Sequence, residues 1–106
     1  MDMNEYQEFT RTTAVYPKHS AVAYLGLGLA GEAGEVADRV KKVLRGDFTF
    51  EASLSSIVAE LGDVLWYIAR IADELDVDLA HVAAVNKDKL TDRKDRGKIR
   101  GNGDTR

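Results

Sequence analysis

Two carboxylate pairs, Glu32-x-x-Glu35 and Glu60-x-x-Asp63, lie inside the two most apolar stretches of the chain, YLGLGLAGEAGEVA and IVAELGDVLWYIARIA. Residues three apart on an α-helix share one face within a single turn. Each pair therefore aims two acids the same way from a segment that otherwise favours burial. Buried like charges repel and are poorly solvated. Such a pattern calls for a cation between the acids, and a divalent metal held by oxygen ligands supplies it.

Four helical segments follow from the apolar periodicity, with no strand alternation or internal repeat to compete, so the fold class is all-α. Asn4 with Gln7 matches a capping box, opening a first helix with Tyr6, Phe9 and Thr13 on one side and Pro17 beyond its end. A second helix runs from near Ser20 to Arg45, with Gly46 as its C-terminal glycine. Gly28, Gly31 and Gly34 recur within it, each costing ~1 kcal/mol relative to alanine, so a close approach by a backbone or ligand is expected there. The segment from Gly46 to Ser53 is the main loop. A third helix follows from about Ala52 to Leu75, with Ile57, Leu61, Val64, Leu65, Ile68, Ile71, Ala72 and Leu75 as its apolar stripe. Asp78 is the expected cap of a fourth helix reaching about Arg93.

The short loop makes helices two and three an antiparallel hairpin. The first acidic pair lies about as far before the end of helix two as the second lies after the start of helix three, so the pairs meet at similar height. A lone acidic pair on a helix ordinarily faces water. Here Leu25, Gly28 and Gly31 precede the first pair and Val64 and Tyr67 follow the second, where a solvated face would repeat polar residues. Asp38 extends the Glu32, Glu35 row, either as a further ligand or as the point where the row meets solvent. A di-iron centre would want Glu-x-x-His pairs. Neither His19 nor His81 stands three residues after a glutamate.

Magnesium held by carboxylates keeps positions open for water and substrate phosphates. Asn86, Lys89 and Arg93 fall on one face of helix four, where the amide can ligate or hydrogen-bond and the cations can clamp phosphate oxygens. Phe9, Tyr24, Trp66 and Tyr67 could wall a base slot, but aromatic residues at helical spacing normally pack in the core, and none is assigned to binding.

The stretches GLAGEAGEVADRVKK, ELGDVLWYIARIA and NKDKLTDR together resemble the MazG-type all-α nucleoside triphosphate pyrophosphohydrolases, over about residues 20–95. The family pattern of E-x-x-E followed by E-x-x-D is met at Glu32, Glu35, Glu60 and Asp63. A single motif set makes this chain similar to the short members of that family. The resemblance implies a four-helix MazG-like bundle with a long central antiparallel hairpin and a core completed by oligomerisation, as a homodimer or homotetramer. It also implies a Mg2+-dependent enzyme, with Mn2+ as a substitute, that cleaves a nucleoside triphosphate to a monophosphate and pyrophosphate. Glu32, Glu35, Glu60 and Asp63 would bind metal, and Asn86, Lys89 and Arg93 would contact metal or phosphate. Glu35, flanked by Gly34, is the first candidate to orient or deprotonate the attacking water. Related dUTPase or phosphoribosyl-ATP pyrophosphohydrolase activity is one alternative. A non-catalytic helical oligomer that binds nucleotide or protein is another.

One domain fits the 106 residues, with residues 1–96 as the helical domain and 97–106 as a flexible basic tail. From Asn86 onward there are eight Lys/Arg against four Asp, so an acidic body carries a basic end. That end has no aromatic residue to stack on bases, and no nucleic-acid partner is expected. The absence of cysteine excludes a disulfide scaffold, a thiolate zinc site and a cysteine nucleophile. The apolar run from Ala21 to Gly31 is too short for a bilayer, and the chain reads as cytoplasmic, with no membrane partner.

Overall fold

The computed structural model describes all 106 residues and contains four α-helices and no strand. Helix α1 covers Met3–Thr10, α2 Ala21–Arg45, α3 Phe50–Glu74 and α4 Leu79–Asp95, with 3-10 turns at Arg11–Thr13 and Lys18–Ser20. The long α2 and α3 form the expected antiparallel hairpin. Helix α1 crosses α3 and meets α4, and α4 extends from the far end of α3.

The hairpin is punctuated by local chemistry. Gly46, at φ 93°, takes the left-handed conformation that ends α2, and Asp47 N–H donates to Lys42 O at 3.0 Å across the reversal. Thr49 Oγ1 then accepts Ala52 N–H at 3.1 Å, which starts α3 at Phe50, two residues before the expected start at about Ala52. At the other end Asp76 adopts φ 58°, a conformation that aspartate tolerates better than most residues, and Val77 N–H closes the turn on Ala72 O at 2.9 Å. Within the hairpin, Gly28 lies against the Tyr67 ring, so that a Cβ there would fall 2.1 Å from Tyr67 Cε1. The close approach expected of the glycine-rich helix is thus made by a side-chain ring, not by a backbone or ligand. It occurs at Gly28 alone, because Gly31 and Gly34 have nothing within 4 Å of a Cβ position.

The capping expected at the starts of α1 and α4 is redistributed. Asp2, rather than Asn4, caps α1, accepting Glu5 N–H at 2.8 Å. Asn4 and Gln7 face sideways and cap α4 instead. Asn4 Oδ1 accepts Ala80 N–H at 3.0 Å, Gln7 Oε1 accepts Leu79 N–H at 2.8 Å, and Gln7 Nε2 donates to Val77 O at 2.8 Å. Asp78 occupies the cap position of α4 but makes no side-chain capping bond. A three-residue spacing serves a helix reading its own end and a helix reaching to a neighbour equally well, so pattern alone does not separate them.

A second tie holds the α1–α2 connection to α3. The Arg70 side chain, 5% exposed, donates through Nη1 to Asp73 Oδ2 at 2.9 Å and Thr10 Oγ1 at 3.3 Å, and through Nη2 to Tyr16 Oη at 3.0 Å. Arg11 adds a bidentate grip on Asp73, and Tyr16 O–H donates to Glu74. A buried guanidinium is tolerated because Asp73, Thr10 and Tyr16 all accept from it.

The single chain closes little core. Ten of its 106 residues are buried, and only Ala21, Leu25, Ala69, Ala72 and Leu79 of these are apolar. Its radius of gyration is 16.5 Å, against about 13 Å for a compact domain of this length. Leu27, Leu54, Val58 and Leu61 on the hairpin are each more than half exposed.

The capping arrangement gives a contrast. Replacing Gln7 with Leu strands the buried Leu79 N–H and should cost about 1–3 kcal/mol. Replacing Asp78 with Ala should stay within about 0.5 kcal/mol. Urea denaturation of the two variants measures the difference, and equal losses would refute this account of α4.

Candidate metal centre

One α-helical turn beyond Gly28 stands Glu32, and one turn before Tyr67 stands Asp63. Because α2 and α3 run in opposite directions, the contact between Gly28 and Tyr67 carries Glu32 and Asp63 to facing positions. Glu60 joins them from the preceding turn of α3. Carboxylate oxygens of Glu32, Glu60 and Asp63 all lie within 4.8 Å of one another. Glu32 and Glu60 are half-buried and Asp63 is exposed.

The crowding of acids registers at Glu32. The Glu32 carboxyl is pushed above its usual range, first by burial and then by the charges of Asp63, Glu60 and Glu35. Burial likewise lifts the Tyr67 hydroxyl, with Tyr24, Glu32 and Asp63 adding to it. No lysine or arginine forms an ion pair with any of the three acids. A set of hard oxygen donors with unrelieved mutual repulsion fits a divalent cation such as Mg2+ or Mn2+.

Glu35 falls outside this trio. It is exposed, yet close enough to add to the repulsion felt by Glu32. Asp38, the continuation of the same row, is half-buried and stands outside the trio. It pairs with Lys42 at 2.8 Å and Lys41 at 3.0 Å, contacts that lower its pKa to about 2. His19 and His81 are exposed and join no cluster.

A hollow of about 370 Å3 opens beside the acids, lined by Phe9, Thr13, Glu32, Asp63, Trp66 and Tyr67. Trp66 stands edge-on to Tyr67, with ring centroids 5.0 Å apart, and its Nε1–H donates to Thr13 Oγ1 at 2.7 Å. Of the four aromatic residues considered as walls, Phe9, Trp66 and Tyr67 line the hollow. Tyr24 instead stacks on Tyr16, with centroids 6.0 Å apart. Thr13 is an addition that sequence reasoning placed only on the Phe9 side of α1.

The basic face of α4 does not reach this hollow within one chain. Lys89 and Arg93 both engage Asp104 of the C-terminal segment, and Asn86 lines a separate depression with Lys87, Leu90 and Ile99. The chain thus brings Glu32, Glu60 and Asp63 together, keeps Glu35 beside them, and leaves Asn86, Lys89 and Arg93 apart.

An antiparallel helical hairpin presenting a carboxylate trio beside an aromatic hollow defines an all-α protein with a metal-type acidic centre. Comparison with known proteins makes the class specific. The family model described as MazG nucleotide pyrophosphohydrolase domain matches residues 21–97, and the chain belongs to that family. Over the full length of both chains it is 45% identical to a protein called Gene 37 protein from Mycobacterium phage L5. No solved structure matches the chain.

The raised Glu32 pKa sets a pH dependence with a definite sign. The folded chain binds the Glu32 proton more tightly than the unfolded chain does. The resulting stabilisation is present below the unfolded pKa and is lost as pH rises through the higher folded one. Metal-free protein should therefore gain stability from Glu32 on acidification from neutrality, and Glu32→Gln should raise its melting temperature at pH 7. Mg2+ should reverse the order, stabilising the unaltered chain by about 2.7 kcal/mol at a hundredfold excess over Kd and the variant much less. Thermal melts with and without Mg2+ check both halves, and a variant that is less stable without metal would contradict the repulsion.

Proposed function

We propose that the protein is a Mg2+-dependent pyrophosphohydrolase that cleaves a ribo- or deoxyribonucleoside triphosphate to the monophosphate and pyrophosphate. The observation that carries this reading is the convergence of Glu32, Glu60 and Asp63, of which Glu32 and Asp63 line a hollow whose other wall is aromatic. Acids alone suit many cations. Acids beside an aromatic slot suit a ligand that combines phosphates with a flat base.

In this reading Glu32, Glu60 and Asp63 hold the cation through their oxygens. When bound, Mg2+ supplies positive charge against the phosphate oxygens and makes water in its shell more acidic. Glu35, exposed at the edge of the trio, is the residue proposed to orient the attacking water and take its proton. Phe9 and Trp66 flank the base and exclude water from one side of the site, while Tyr67 closes the floor. Attack on a phosphorus breaks a phosphoanhydride bond and releases pyrophosphate. Asn86, Lys89 and Arg93 are proposed to bind the phosphates and stabilise charge on the group that leaves.

A second copy of the chain is part of the proposal, as a homodimer or homotetramer. Support comes from the extended shape and from the exposed leucines and valines on the hairpin, which a lone soluble chain has reason to cover. Helix α3 is long and apolar enough to cross a membrane by length and composition. It nevertheless carries Glu60 and Asp63 near its middle and packs along α2, features of a helix docked on protein. A cytoplasmic location, with residues 1–96 as the helical domain, completes the reading.

The deciding experiment is incubation with a panel of ribo- and deoxyribonucleoside triphosphates plus Mg2+, followed by phosphorus NMR of the products. Monophosphate with pyrophosphate is the expected outcome; orthophosphate alone, or no product, would remove the proposal. Glu60→Gln and Asp63→Asn should each lower turnover by at least about 100-fold, since a metal's charge stabilisation amounts to several kcal/mol. Helical circular dichroism should be unchanged in both. Normal turnover in either variant would exclude that residue from the site.

A further inference from the structure

Beyond Asp95 the chain doubles back along α4. Three glycines make this possible, with Gly97 at φ 67°, Gly101 at φ 145° and Gly103 at φ 81°, conformations that other residues resist. Arg106 locks the turn from within, donating to Gly103 O at 2.7 Å, Ile99 O at 3.1 Å and Lys98 O at 3.3 Å. Arg96 Nη2 holds the terminal residue through Arg106 O at 2.7 Å.

The loop delivers one acid to the basic face of α4. Asp104 Oδ1 lies 3.1 Å from Lys89 Nζ and 3.3 Å from Arg93 Nη2, and Asp104 O accepts a further bond from Arg93 Nη2 at 2.8 Å. Arg93 is almost fully buried, with 5% of its side chain exposed, whereas Asp104 is 82% exposed. Arg93 is therefore held in place, Lys89 is about one-third exposed, and the acid they share is peripheral. A carboxylate shared between a lysine and an arginine one turn apart satisfies the same donors that a phosphate oxygen would.

The geometry points to an autoinhibitory clasp: the Asp104 carboxylate occupies the phosphate-binding cations Lys89 and Arg93, and a polyphosphate ligand must displace the C-terminal segment to reach them. This rests on the proposed role of α4 in binding phosphate, and it adds regulation of that site by the chain's own end. Two features suit a displaceable inhibitor rather than a structural strut. Asp104 stays largely in solvent, where it gains little from an ion pair, and the glycines that permit the turn also permit its release. A triphosphate brings more charge and more acceptor oxygens than one carboxylate.

The test uses the full chain and inorganic triphosphate as the probe, titrated calorimetrically without divalent metal so that α4 dominates binding. Asp104→Asn should tighten binding by roughly two- to five-fold, the worth of an exposed ion pair. Asp95→Asn, which removes an equal charge at the end of α4 without touching Lys89 or Arg93, should leave it unchanged. In turnover assays Asp104→Asn should lower KM by a similar factor at constant kcat. Unchanged or weaker binding by Asp104→Asn overturns the clasp, as does a gain that survives in the Asp104→Asn, Lys89→Ala double variant. Lys89→Ala separates the two levels of inference. If it weakens binding while Asp104→Asn has no effect, only the clasp fails; if it too has no effect, the phosphate role of α4 fails with it.

Discussion

The contact of Gly28 with the Tyr67 ring sets the register on which the rest of the molecule depends. A side chain on residue 28 would collide with that ring, so only glycine lets α2 and α3 approach at this level. Once they do, a single turn along each helix brings Glu32 to Asp63 and leaves Glu60 within reach. The same ring that fixes the register also lines the hollow beside the acids. Structure and site are therefore coupled: shifting the hairpin by one residue would rotate the acids of one helix by about 100° away from those of the other.

Much of this was legible in the sequence because it depends on periodicity and distance along two long helices. The all-α class, the hairpin and the shared height of the acidic pairs all follow from the spacing of apolar residues and one short loop. The family assignment agrees with the motifs at Glu32, Glu35, Glu60 and Asp63. What escaped were choices among partners of similar chemistry. Asn4 and Gln7 can cap their own helix or a neighbour's, and packing of α1 across α3 decides for the neighbour. Asp78 then loses its capping task because Gln7 and Asn4 perform it. Thr49 starts α3 early because its hydroxyl reaches Ala52 N–H, although it sits in a segment whose composition reads as loop.

The site divides in the same way. Glu32, Glu60 and Asp63 were legible because their convergence follows from the hairpin alone. Glu35 lies on the same row but one turn further along α2, and the row turns outward there, as the pairing of Asp38 with Lys41 and Lys42 makes plain. Thr13 was harder to see, since its place beside Trp66 depends on the 3-10 turn after α1 and on the Arg70 network that pins the connection to α3. Asn86, Lys89 and Arg93 share a face, as their spacing requires, but a shared face does not specify what it points towards.

That separation bears on how the proposed reaction is organised. A nucleoside triphosphate needs cation-binding acids and phosphate-binding bases at once, and one chain holds them on different surfaces, the acids on the hairpin and the bases on α4 beneath Asp104. The hairpin is also incomplete in itself. Gly31 and Gly34 give up about 1 kcal/mol each in helix propensity yet meet nothing within 4 Å, and Leu27, Leu54, Val58 and Leu61 remain in water. The proposed second copy accounts for both the glycines without a neighbour and the leucines without a core. A second copy seated there would bury the leucines and bring its backbone to the glycines. It would also make the surroundings of each acid trio a joint product of two chains, so that assembly and the supply of phosphate-binding cations become one requirement.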